Sequence, residues 1–132
     1  MLTVDLPAVR TALEVHGGFT LDPRTGRMLT PGEDRGYVIA LPGTEQLLGH
    51  EVTEEGFRAA FDAATAEMTD DQREVVFVGG WYSSERGYMI ELSQVLDIDR
   101  DSAEVIGRAF DQDAIFDLTR GEEIPLRVPA EV

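Results

Sequence analysis

The chain has 132 residues, 42% of them hydrophobic, with 26 acidic and 11 basic side chains, a net charge of −15 and no cysteine. Every basic side chain is arginine, so lysine chemistry such as a Walker A loop or a Schiff base is excluded, and the missing thiols exclude disulfides, thiolate nucleophiles and cysteine-held metals. An anionic surface of this strength opposes direct contact with nucleic acid or an anionic membrane.

Taken in chain order, Leu6, Val9, Leu13 and His16 recur at helical spacing, with Asp5 as N-cap, Pro7 in the first turn and Gly17-Gly18 as the stop. Phe19–Asp22 and Arg27–Thr30 flank Pro23-Arg-Thr-Gly26 and read as a hairpin. Tyr37–Leu41 is continuously apolar, the pattern of a central strand covered on both faces, and Glu45–Gly49 is a short returning strand. Thr53 caps a helix whose buried stripe is Phe57, Ala60, Phe61, Ala64 and Met68. Residues 69–74 read as a solvated connector. A strand then opens at Val75 and runs through Gly79-Gly80-Trp81-Tyr82, and Ser84–Gly87 turns into a second in which Tyr88, Ile90 and Leu92 alternate with Met89, Glu91 and Ser93. Asp101 and Glu104 have capping-box spacing ahead of a helix burying Val105, Ile106, Ala109 and Phe110. A last hairpin joins Ala114–Leu118 to Glu122–Leu126. The expectation is one α+β domain over 1–126, a mainly antiparallel sheet with about three helices packed on it, and a frayed tail at 127–132.

Few residues pattern as chemistry. Asp97-Ile-Asp-Arg-Asp101 opens like a calcium loop, but its sixth position is Ser102 and its twelfth is Arg108, where glycine and glutamate are required. His16 and His50 have no second histidine or cysteine at ligand spacing. Ser83, Ser84, Ser93 and Ser102 lie in no nucleophile motif. The turns at Arg35-Gly36, Arg86-Gly87 and Arg120-Gly121 suit exposed arginine beside a turn glycine. No metal, cofactor or catalytic group is therefore expected. Gly79-Gly80 is the odd local feature: two glycines inside a strand call for a bulge beside Trp81, or for a ligand approaching there.

Charge is unevenly spread. Residues 1–66 hold 10 acids and 5 arginines, for −5, and residues 67–132 hold 16 acids and 6 arginines, for −10. Helical spacing puts Asp101, Glu104, Arg108 and Asp111 on one side of the last helix, with Glu104 and Arg108 as an i,i+4 pair. The segments Gly79–Val95 and Asp111–Ile124, with Gly18-Phe19-Thr, Asp22 and Gly26, resemble small accessory proteins of actinobacterial bacteriophages and mobile elements. That resemblance implies a bacterial host and no particular activity, so it assigns no site residues.

The leading expectation is a non-enzymatic, acidic protein-binding module, a phage-type host-interaction or counter-defence protein, at the limit a DNA mimic. Its partner would be a basic protein surface, met through Asp97, Asp99, Asp101, Glu104, Asp111 and Asp113, with Trp81 and Tyr82 as aromatic anchors. One alternative is a small enzyme or ligand-binding domain with a pocket at Gly79-Gly80-Trp81 using Glu91 or another strand acid; the other is an assembly component pairing through a strand edge. No run approaches the roughly 18 apolar residues of a membrane helix, and the first seven residues lack the basic and apolar parts of a signal peptide, so the expected place is the cytoplasm.

Overall fold

The structure, a computed structural model, describes residues 5–126 apart from the side chain of Leu6; the tail expected at 127–132 lies outside the described residues. Helix α1 (Leu6–His16) is capped by Asp5, whose carboxylate accepts from the Ala8 N–H, and ends at Gly17 in the left-handed region. Strands β1 (Gly18–Asp22), β2 (Arg27–Met28), β3 (Tyr37–Ala40) and β4 (Gln46–Gly49) follow. Helix α2 (Glu54–Ala66) has Thr53 as its cap. Residues 70–75 are not a connector but a short helix, α3 (Asp70–Val75), because Thr69 and Gln72 close a reciprocal capping box. The chain then forms β5 (Phe77–Ser83), β6 (Gly87–Leu96), α4 (Arg100–Ala109), β7 (Ala114–Asp117) and β8 (Glu122–Pro125).

The result is one antiparallel sheet in the order β2-β1-β5-β6-β3-β7-β8, with β4 also paired to β6. Ten-residue β6 is the spine: β5 covers one edge, while β3 and β4 share the other, opposite 93–96 and 88–90. Between β3 and β4 the chain loops out over 42–45, where Pro42-Gly43 breaks the ladder. Thr44 repairs it: its hydroxyl accepts from the Leu92 N–H at 3.0 Å and donates to the Leu41 carbonyl at 2.9 Å.

Two apolar clusters lie on one face of this sheet. Val78, Ile90 and Leu92 pack with Val9, Leu13 of α1 and Phe57, Phe61 of α2, while Ile39, Ile115 and Ile124 pack with Ala103 of α4. Of the four α4 residues expected to be buried, Ile106 and Phe110 pack half-buried against the second cluster, whereas Val105 is 64% exposed and Ala109 is also exposed, and the fully buried positions are Ala103 and Gly107. The helix also starts earlier than the spacing predicts, since Asp99, not Asp101, accepts from the Ser102 N–H at 2.8 Å. The sheet curls about its other face. The connector after β2 reaches across to the β7–β8 turn, where Gly32 N–H donates to the Leu118 carbonyl at 3.0 Å and Gly36 N–H to the Thr119 hydroxyl at 3.1 Å. The two ends of the strand order are thereby tied together.

Candidate functional site

Strand alternation decides what faces into the curl. Pairing sets Gly79 opposite Glu91, Phe77 opposite Ser93, Thr20 opposite Gly79, Gly18 opposite Trp81 and Ala40 opposite Ser93. All these share the face turned away from α2 and α4. All but Phe77 line a cavity of about 770 Å³, whose walls add Val38, Phe116, Met28 and Leu118, with Thr11 and His16 of α1, Thr30, Asp113 and Glu123 at its exposed margin.

Its floor is polar and deeply buried. Thr20 is 8% exposed, Glu91 6% and Ser93 2%. The Glu91 carboxyl has an unusual setting, because the strand position beside it on β5 is a glycine and the strand on the other edge has looped out at 42–45. No strand side chain crowds it in its own row. Burial pushes its pKa up to about 8, the negative charge of Glu45 adds to the rise, and the Trp81 N–H and Arg86 guanidinium pull the other way. At neutral pH this is a carboxylic acid, able to donate as well as accept. Trp81 lines the same space, and its indole N–H is buried with no acceptor completing a hydrogen bond. Such a donor costs free energy unless a partner arrives.

The glycine pair proves not to be a bulge. Register runs without interruption through Gly79 and Gly80 to both β1 and β6. Close approach requires each residue instead. A Cβ on Gly80 would collide with the Phe19 ring, which lies across the helix-covered face, and a Cβ on Gly79 would stand 3.0 Å from the Ser93 hydroxyl on the cavity floor.

The acids expected to form a docking patch are placed along α4. Asp97, Asp99 and Asp101 are exposed at its start, and Asp111 and Asp113 are exposed past its end. Asp99 and Glu104 are among the carboxylates engaged within the chain. Asp99 is the helix cap, held below its usual range by the Ser102 backbone and hydroxyl, and Glu104 is lowered by its bonds from Arg100 at 3.0 Å and Arg108 at 3.2 Å. Trp81 and Tyr82 do not act together, since consecutive strand residues point to opposite faces: Trp81 faces the cavity, while Tyr82 is 43% exposed on the other face with its ring tilted against Tyr88. Ser93 and Thr20 carry no sequence signal as site residues, because only the curl brings them beside Glu91.

No known protein family matches the chain, and comparisons with curated proteins and with solved structures likewise give no match. Among the described residues no helix is long and apolar enough to cross a membrane, and no cluster of three or more His, Cys, Asp or Glu is placed to hold a metal ion.

Proposed function

We propose that this protein is a small-molecule-binding domain whose cavity takes an uncharged, mainly apolar ligand with a polar group at the Glu91–Trp81 end. One observation carries the reading: a buried indole N–H that completes no hydrogen bond, beside a buried carboxyl, in a space of about 770 Å³. Apolar walls with a few convergent polar groups are the usual composition of a ligand site. The unmet donor at Trp81 supplies a reason for a ligand to stay.

Trp81 is the only tryptophan, so its emission reports on the cavity directly. Titration with the neutral apolar fluorophore N-phenyl-1-naphthylamine should give a saturable change in Trp81 emission and energy transfer to the probe. Val38→Phe, which narrows the wall, should abolish it while leaving the unfolding transition cooperative. Absence of a saturable signal in the wild type, or an unaltered one in a folded Val38→Phe variant, would refute the proposal.

A second reading is favoured by the exposed acids at the two ends of α4: a docking face for a basic protein. Asp97→Asn with Asp101→Asn would then weaken, without loss of stability, any association that also weakens with salt. Binding indifferent to both changes would dismiss that face.

A further inference from the structure

We infer that the polar end of the cavity receives a carbonyl-type oxygen of its ligand, held between the indole N–H of Trp81 and the carboxyl of Glu91. This rests on the ligand-binding reading and names the ligand chemistry.

Three observations lead to it. The Trp81 N–H is buried and completes no hydrogen bond, although it lies close enough to the Glu91 carboxyl to draw its pKa down, and an indole can only donate. A ligand oxygen with a lone pair can complete that bond. Glu91 lies diagonally across from Trp81, on the same face of adjacent strands, since Gly79 pairs with Glu91 and Trp81 with Met89. A protonated carboxyl there is a second donor toward the same region.

The third observation concerns charge. Among the described residues no arginine lines the cavity. The nearest guanidinium that acts on Glu91, Arg86, is committed to an ion pair with Glu45 in the 42–45 loop-out. A carboxylate or phosphate ligand would find no counter-ion and would meet Asp113 and Glu123 at the margin. A cation would require Glu91 to ionise where burial opposes it. An uncharged ketone, lactone, amide or quinone oxygen satisfies both donors without adding charge.

The groups that bear on the protonation of Glu91 are Glu45, Arg86 and Trp81, and among the described residues His16, Asp113 and Glu123 are the other titratable groups of the lining. Above the titration of Glu91 the second donor becomes an acceptor, and carbonyl binding must fall.

The test uses two ligands of one shape, benzophenone and diphenylmethane, in displacement of N-phenyl-1-naphthylamine. In Trp81→Phe and in Glu91→Leu the ketone-to-hydrocarbon affinity ratio should drop about tenfold from the wild-type value, the scale of one lost hydrogen bond. Glu91→Gln, whose amide still donates, should keep most of the ratio. If a variant fails to fold, the wild type decides: the ratio should drop between about pH 7 and pH 9 while diphenylmethane binding holds steady. An equal ratio in wild type and folded variants, or no drop with pH, overturns the carbonyl assignment and leaves the cavity reading standing. Failure of every compound to bind overturns the cavity reading itself.

Discussion

Replacing Glu91 by glutamine should stabilise the protein, by an amount that grows with pH. The folded carboxyl titrates at about 8, against an ordinary 4.5, chiefly because it is buried and secondly because Glu45 is near. Below the ordinary value both folded and unfolded chains hold the proton, and Glu91 costs nothing on this account. As pH rises, the unfolded chain releases a proton that the folded one retains. Stability then falls by about 1.4 kcal/mol per pH unit until the folded group itself ionises. The accumulated loss is about 3 kcal/mol at pH 7 and levels off between about 4 and 5 kcal/mol above pH 8. Glutamine matches the shape, keeps a donor and an acceptor, and cannot ionise. Urea unfolding followed by Trp81 emission, on both proteins in steps from about pH 5 to pH 9, gives the difference directly. The other acids cancel in that difference. Near pH 7 it should be worth on the order of 10 °C in Tm. A difference that stays flat over this range would refute the reasoning, since it would mean that water reaches the carboxyl and lets it ionise in the folded state.

Thr44→Val should destabilise by about 1–3 kcal/mol in the same urea assay, because it strips the Leu92 N–H of its acceptor inside the sheet; a smaller change would mean that the loop-out closes without the hydroxyl. Gly80→Ala should cost about 1–3 kcal/mol by forcing Phe19 off the sheet, and retention of wild-type stability would show that the ring has room to move. Asp99→Ala should cost about 1 kcal/mol through loss of the α4 cap, while Asp101→Ala should change stability little; the opposite order would return the cap to Asp101.

Local patterns carried much of the architecture. The Phe57–Met68 stripe, the hairpin at 22–27 and the alternation along β6 are all present where spacing puts them. Pairing and curl are not local properties. Nothing near Tyr37–Ala40 says that it lies between β6 and β7, or that one of its faces looks into a cavity rather than onto a helix. At the start of α4 local spacing leaves the cap undecided: Asp99 and Asp101 are two residues apart and each has a plausible residue three positions on, Ser102 and Glu104, so spacing alone does not choose between them. Glu91 was legible only as an acid on an otherwise apolar strand. That it is buried follows from the closure of the sheet by the 30–36 connector, a contact between segments 83 residues apart in sequence at Gly36 and Thr119 that no motif encodes.

The surface charge and the cavity are connected. Twenty-six acids against eleven arginines give the whole particle a negative potential, and that potential favours retention of any buried proton, Glu91 included. The same potential discourages anions at the margin, where Asp113 and Glu123 are exposed. An acidic exterior thus selects in the same direction as the neutral floor: it keeps Glu91 a donor and leaves the site to uncharged molecules. If the coupling is real, added salt should screen the distant acids and lower the titration point of Glu91, shrinking the Glu91→Gln stability difference at neutral pH. Burial and Glu45 would sustain the remainder, because the first involves no screening and the second acts at close range.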